Sequence, residues 1–360
     1  MPESNTGNLE RFLWGIMITM SSKPVFKVTD YIEHDLRWEE KECRKLGVDF
    51  SSYQLKDASP DEIIAHVGDA DILLVNMAKM TSEVISGLHN VKVILRHGIG
   101  YDNVDVEVAT QNGIIFANEA TASSVDVAEQ AIMLMFAAYR KIMIQRGIVD
   151  DSIGRERYDF SEIYPFYRME GKTLGIVGCG NIGSIVLRKM QSFGMKTLVV
   201  CDPYLSNERL LELGISCTPL DEVLKQSDIV TIHVPLTDET YGMFDIGLFR
   251  RMKKTAVIIN TSRGPVINTA DLIKALSKGI IAGAGLDVLT DEPPPRDSEL
   301  IRMKNVVLTP HLAWYSEEGG WDIRHMIMDD LKAFLNGKPP RYVINPEVYN
   351  KPELRMNISG

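Results

Sequence analysis

A chain of 360 residues is long enough for about two domains, each with its own core. With 45% hydrophobic and 24% charged residues, its composition is ordinary for a soluble globular protein. A net charge of −10 argues against nucleic acid or an anionic membrane as the main partner; a small anionic ligand stays open, because local fields decide its binding.

Residues 1–22 read as a flexible extension. Within them Phe12 to Met20 is apolar, but it is too short to span a bilayer and lacks a clean small-residue cleavage site. From about residue 24 to 118, short apolar runs alternate with amphipathic stretches. "VFKVTD", "ILLVN", "KVILRHG" and "IIFAN" read as strands separated by helices, which is α/β patterning. "SVDVAEQAIMLMFAAYRKIMIQRGIVDD" then predicts one long helix joining two domains, with acids near its start and bases near its end. Its methionines over 132–143 read as core. A second series follows, with strands "TLGIVG", "TLVVCD", "DIVTIHV", "AVIIN", "AGAGLDVL" and "NVVLT", which predicts a doubly wound parallel sheet. "SEEGGWDIRHMIMDDLKAFLNGK" predicts a further long helix ending in Gly337. The Pro- and Asn-rich remainder, with a tail over 351–360, reads as a surface wrap. Cys43, Cys179, Cys201 and Cys217 form no CxxC pair and have no histidine at ligand spacing. They read as isolated thiols of a reducing, cytoplasmic compartment, and no metal site is expected.

Gly178, Gly180 and Gly183 stand in GxGxxG spacing. The motif alone is weak. Here it follows an apolar strand and opens an apolar helix, and Asp202 ends the next strand nineteen residues after Gly183. That context is the dinucleotide fingerprint. The glycines let the backbone approach a pyrophosphate at a helix N-terminus. Asp202 would accept hydrogen bonds from ribose hydroxyls and repel a 2′-phosphate, so NAD is expected rather than NADP.

Three more strand ends carry polar residues. Arg263 follows "AVIIN", Asp287 and Glu292 follow the "AGAGL" strand, and His311 follows "NVVLT". Ligands of open parallel sheets bind outside the carboxyl ends of the strands, so these residues belong to the glycine loop's edge. Hydride transfer between nicotinamide and a 2-hydroxy acid needs a proton acceptor for the hydroxyl and a cation for the carboxylate. Histidine suits the first task and arginine's planar fork the second. A carboxylate behind the histidine would orient its ring and favour its charged form.

With these residues in place the chain resembles the D-isomer-specific 2-hydroxyacid dehydrogenases over about residues 24–346. The matching stretches are "LRHGIGYDNVDVEVATQNGI", "GIVGCGNIG", "HVPLTDET", "NTSRGPVIN", "GLDVLTDEP" and "TPHLAWYSEE". The resemblance implies Arg263, Glu292 and His311 as the catalytic set. It implies a split substrate domain, 23–123 with 316–350, around an NAD domain at 124–315, both Rossmann-like and the former flavodoxin-like. Homodimers through the coenzyme domains are typical of the family. Coenzyme contacts are implied for Gly178, Gly180, Asn181, Ile182, Gly183, Asp202, Val234, Pro235, Thr240, Thr261, Ser262, Arg263, Asp287 and His311, with Asp287 on the nicotinamide carboxamide.

Within the family, "HLAWYSEE" is most similar to the C-terminal-binding protein corepressors and their microbial dehydrogenase relatives, which carry tryptophan at the place of Trp314 and arginine at that of Arg96. Arg96 and the backbone N–H groups of Gly98, Ile99 and Gly100 are expected to hold a substrate carboxylate. His97 and His233 read as structural. In the loop "NMAKMT", residues 76–81, phosphoglycerate dehydrogenases typically carry arginine near the start; here Asn76 and Met77 stand there, and Lys79 is the loop's one cation. Met77 with Trp314 predicts a place for an uncharged substrate tail. The intact Arg263, Glu292 and His311 favour an enzyme that interconverts a 2-keto and a D-2-hydroxy acid. The alternatives are a D-3-phosphoglycerate dehydrogenase and a corepressor-like, NAD-sensing scaffold with little turnover.

Overall fold

The computed structural model describes residues 23–356, so the extension expected over 1–22 lies outside the described residues, as do 357–360 of the tail. The chain divides into two compact units. One ends at Ala122 and resumes at Trp321; the other spans Ser123–Gly320.

Among its described residues the first unit holds five strands: β1 (Val25–Val28), β2 (Asp49–Ser52), β3 (Ile72–Val75), β4 (Val93–Arg96) and β5 (Ile115–Asn118). They pair in parallel in the order β2-β1-β3-β4-β5. Helices cover both faces of such a sheet, so inner strands become unbroken apolar runs, and β3 is buried at every position. Four strands are legible in the sequence and β2 is not. It reads DFSS, buries none of its residues, and sits at the edge paired only with β1. A strand buried on neither face leaves no hydrophobic period to detect.

The second unit holds β6 (Thr173–Val177), β7 (Thr197–Cys201), β8 (Ile229–Ile232), β9 (Val257–Asn260), β10 (Gly283–Leu286) and β11 (Val306–Leu308), all parallel, in the order β11-β10-β9-β8-β6-β7. The winding direction therefore reverses between β6 and β8. In the first sheet it reverses between β1 and β3. Such switch points open a crevice at the strands' carboxyl ends.

The expected single long helix over residues 124–151 is two helices, Ser124–Tyr139 and Ile142–Asp151. Between them Lys141 adopts φ 53°, and its Nζ donates to the carbonyls of Ile163 (2.9 Å) and Pro165 (2.8 Å). A left-handed residue cannot continue the i→i−4 ladder, so the capture of that ammonium goes with the break. The first helix is not a bare connector. Ala128, Ala131, Leu134, Met135 and Ala138 are buried against Leu174, Ile176 and Ile259 of the second sheet. Helix Glu317–Leu335 ends before Gly337, which has φ 68°.

Candidate active site

The glycine loop shows why each glycine is there. Gly178 has φ 88°, and a Cβ on it would stand 2.7 Å from the backbone of His233. On Gly183 a Cβ would meet the Gly178 carbonyl oxygen at 2.2 Å. Both serve close packing. Around the corresponding point at Gly180 nothing lies within 4 Å. That open cradle stands at the N-terminus of helix Asn181–Gln191, which no side chain caps. Backbone N–H groups face outward there and suit a pyrophosphate. Ile182 turns its side chain to the core, leaving its backbone for any ligand.

Asp202 braces this loop. Its carboxylate accepts from the N–H groups of Cys179 (2.8 Å) and Tyr204 (3.0 Å), one on each oxygen. A carboxylate has about four acceptor sites, so two hydroxyls of a ribose can still be received. After β8, the Thr240 hydroxyl donates to the Pro235 carbonyl at 2.6 Å and accepts from the Thr237 N–H at 2.8 Å, which fixes the Val234–Thr240 loop from within. Burial pushes the His233 imidazole down to about 3, so it stays neutral, with Nε2 3.0 Å from the Thr231 hydroxyl.

Asn260 ends β9 fully buried. Its side-chain oxygen accepts from the Ser262 N–H (3.0 Å) and hydroxyl (2.8 Å), and its amide donates to the Arg263 carbonyl (2.9 Å). This folds Thr261-Ser262-Arg263 into a tight turn beyond the strand. Gly264 then passes so close to the next loop that a Cβ would stand 2.0 Å from the Leu289 carbonyl carbon. Only glycine permits that approach, which sets the Arg263 turn against the segment carrying Glu292.

Glu292 Oε2 lies 2.6 Å from His311 Nδ1, and its Oε1 accepts from the Leu289 N–H at 2.7 Å. Burial raises the Glu292 carboxyl, but the hydrogen bonds from His311 and Leu289 and the charges of His311 and Arg263 together hold it below its ordinary range. His311 itself has φ 54°, and its N–H donates to the Asp287 carbonyl at 2.7 Å. Asp287 is 2% exposed and organises this loop. Its carboxylate takes the Thr309 hydroxyl and the N–H groups of Leu312 (3.2 Å) and Ala313 (2.9 Å), and Gln130 closes on it at 3.5 Å. Trp314 stands edge-on to Tyr315, with ring centroids 5.3 Å apart.

The other candidates sit in the first unit. Arg96 ends β4, and its guanidinium stands over Gly98, which has φ 123°. The Gly98 N–H is not available to an anion: it donates to the Arg96 carbonyl at 2.9 Å, closing a three-residue turn. This corrects the expectation for Gly98. The amides of Ile99 and Gly100 make no hydrogen bond among the described residues. Asn118 holds the turn from β5 by donating to the Ile99 carbonyl at 2.6 Å, and the Glu119 N–H donates to the Gly98 carbonyl at 3.2 Å. The Glu119 carboxyl is buried, and burial, then the Asp330 charge, push it up to about 8, so it is neutral at pH 7. His97 is buried, with Nε2 2.8 Å from Glu33 Oε1. Met77 and Lys79 are exposed, whereas Asn76 and Ala78 beside them are buried.

Residues 132–313 match the model for "D-isomer specific 2-hydroxyacid dehydrogenase, NAD binding domain". The chain belongs to this family. It is an NAD-dependent dehydrogenase of D-2-hydroxy acids, and the open cradle at Gly180 with Asp202 beside it fits that coenzyme. Among D-2-hydroxyacid dehydrogenases it is 37% identical to a glyoxylate reductase of Korarchaeum cryptofilum, covering 86% of this chain and 94% of the relative. It is 35% identical to a D-3-phosphoglycerate dehydrogenase of Archaeoglobus fulgidus over 80% of this chain but only 54% of that relative. The crystal structure of a D-lactate dehydrogenase from Aquifex aeolicus with NAD and lactic acid superposes with a TM-score of 0.75 at 28% identity, covering 87% of this chain and 96% of that one.

Asp30, Asn103, Gln130 and Asn260 shape these loops and are not among the residues the sequence puts forward for the site. Asn260 and Asp30 each carried one signal, a polar residue closing an apolar run. Asn103 stood within the matching stretch "LRHGIGYDNVDVEVATQNGI", and Gln130 carried no signal; the partners of both lie far along the chain.

Proposed function

We propose that this dehydrogenase reduces a small 2-keto acid with an uncharged tail, with His311 as acid/base, Glu292 behind it and Arg263 holding the substrate carboxylate. The 2.6 Å contact between Glu292 and His311, beside the Arg263 turn and in the unit of the glycine loop, carries this reading. The bound nicotinamide supplies the hydride. His311 gives the proton to the carbonyl oxygen from Nε2, because Nδ1 is engaged by Glu292. Glu292 holds the ring and favours its charged form, and Arg263 grips the carboxylate with a planar fork. Arg96 and the amides of Ile99 and Gly100 are further donors to the carboxylate. Met77 and Trp314 are proposed contacts of the tail, and Asp287 of the nicotinamide carboxamide through the oxygen with spare capacity. Asp202, Val234, Pro235, Thr240, Thr261 and Ser262 are proposed to line the coenzyme.

Asp202 should make NADH better than NADPH by at least ~10-fold, about 1.4 kcal/mol, in kcat/KM. Asp202→Ala should narrow the ratio. Equal use of both coenzymes by the unaltered enzyme would overturn the role of Asp202.

We further propose a homodimer formed through the coenzyme unit. Its segment over 142–167 exposes Ile153 (79%), Tyr164 (71%), Tyr158 and Phe160, an apolar surface of the kind a partner covers. Light scattering should read twice the chain mass; the mass of one chain would refute it. A cytoplasmic location is proposed from the four free cysteines. Among the described residues no helix is long and apolar enough to cross a membrane.

A further inference from the structure

At the switch point of the first sheet, β1 runs into Thr29 and Asp30, and β3 runs into Asn76, Met77 and Ala78. Asp30 is 2% exposed. One carboxylate oxygen accepts from the Met77 N–H at 2.8 Å. The other accepts from the Ala78 N–H at 3.0 Å and from the Thr29 hydroxyl at 2.7 Å. From the other side Asn103 donates its amide to the carbonyls of Asn76 (3.1 Å) and Ala78 (2.9 Å), and the Met80 N–H donates to the Asn103 carbonyl at 2.8 Å. Every polar backbone group so held belongs to residues 76–80. The alternation along this loop, Asn76 and Ala78 inward and Met77 and Lys79 outward, is what those bonds enforce.

We propose that Asp30, with Asn103, is a positioning residue for substrate selection: its carboxylate locks the 76–80 loop so that Met77 is presented to the tail of the keto acid. This rests on the reading that Met77 faces the substrate. The carboxylate is the required group because three donors converge on it. An asparagine has one acceptor oxygen, and its NH₂ would confront a backbone N–H. Freed of either bond, the loop can turn over by one residue and exchange Met77 for a neighbour.

Asp30→Asn and Asn103→Ala in the full-length enzyme test this, by hydrogen–deuterium exchange and by kinetics side by side. In the wild type the Met77 and Ala78 amides should be slow to exchange. In Asp30→Asn they should exchange at least ~10-fold faster while the second sheet keeps its protection. KM for the preferred keto acid should rise about tenfold, with kcat changed less than threefold and NADH affinity unchanged, because the chemistry and the coenzyme are served by the other unit. Selectivity between keto acids of different tails should fall, and Asn103→Ala should shift KM and selectivity in the same direction. Faster loop exchange with unchanged KM and selectivity would overturn the proposal, as would unchanged exchange in both variants. Should Asp30→Asn fail to fold, Asn103→Ala decides by the same readings. If the wild-type enzyme turned over no keto acid with NADH, the functional reading itself would fall, which is distinct from wild-type turnover that the variants leave untouched.

Discussion

His311→Ala should lower kcat for keto-acid reduction by ~10²–10⁴-fold while leaving NADH affinity within about twofold. The size follows from the loss of the proton donor. The unchanged affinity is expected because the main proposed holders of the coenzyme, the glycine loop and Asp202, have hydrogen-bond partners other than the His311 side chain. Glu292→Gln separates the pair's two functions. The glutamine can still orient the ring, but it removes the negative charge that favours the protonated imidazole. Reduction needs that protonated form, so the alkaline limb of the rate profile should move towards acid pH. Both side chains are about a third exposed, 36% and 33%, so solvent screens the pair and keeps the move small. The sign on the acid side is also determined. Glu292 titrates below its ordinary value, so its charge and the stability it lends are present above that value and are lost as pH falls through the lowered one. Profiles of wild type and Glu292→Gln that superpose would show that the two residues are not coupled in the reaction. Retention of more than a tenth of kcat in His311→Ala would remove His311 from the acid/base role.

With NADH, kcat/KM for keto acids with neutral tails should exceed that for 3-phosphohydroxypyruvate by ~10- to 100-fold. The reasoning lies in the loop after β3. Its start offers Asn76, buried, and Met77, 40% exposed. A thioether gives soft, adaptable apolar contact but no bond to phosphate. Lys79 is exposed on the same side of the alternation as Met77 and is the loop's one cation. An ammonium binds phosphate as a point charge, without arginine's bidentate fork. Loss of a charge-assisted contact to the phosphate is worth ~1.5–3 kcal/mol, which gives the stated ratio. Relatives named D-3-phosphoglycerate dehydrogenase lie among those similar to this chain, so the comparison is a sharp one. Hydroxypyruvate, glyoxylate, 2-ketobutyrate, a methylthio keto acid and 3-phosphohydroxypyruvate should be assayed side by side. A tenfold advantage for the phosphorylated compound would refute the neutral-tail reading and make Lys79 the first residue to substitute.

The sequence by itself made legible the α/β class, ten of the eleven strands among the described residues, and the GxGxxG loop with its acid, and it put forward Arg263, Glu292 and His311 as candidates. These are local signals: a parallel strand buried on both faces is an apolar run, and a turn that needs glycine shows glycine. The edge strand β2 escaped because it is buried on neither face. The break at Lys141 escaped because the carbonyls that hold its ammonium lie more than twenty residues away. The Glu292–His311 contact was expected on chemical grounds, but its distance and the left-handed backbone of His311 depend on Asp287, whose carboxylate gathers donors from Thr309, Leu312 and Ala313. Read along the chain, Gly98 was one of three equivalent amides. In the folded turn its N–H is spent on the Arg96 carbonyl, two residues back, a pairing that the folded backbone creates. Asp30 and Asn103 are the extreme case: polar residues separated by 47 and 25 positions respectively from loop groups they bind, such as Met77 and Ala78. Composition and periodicity report which face of an element is buried. They carry no information about which distant donor a buried carboxylate will meet, and that pairing is what only the tertiary structure decides.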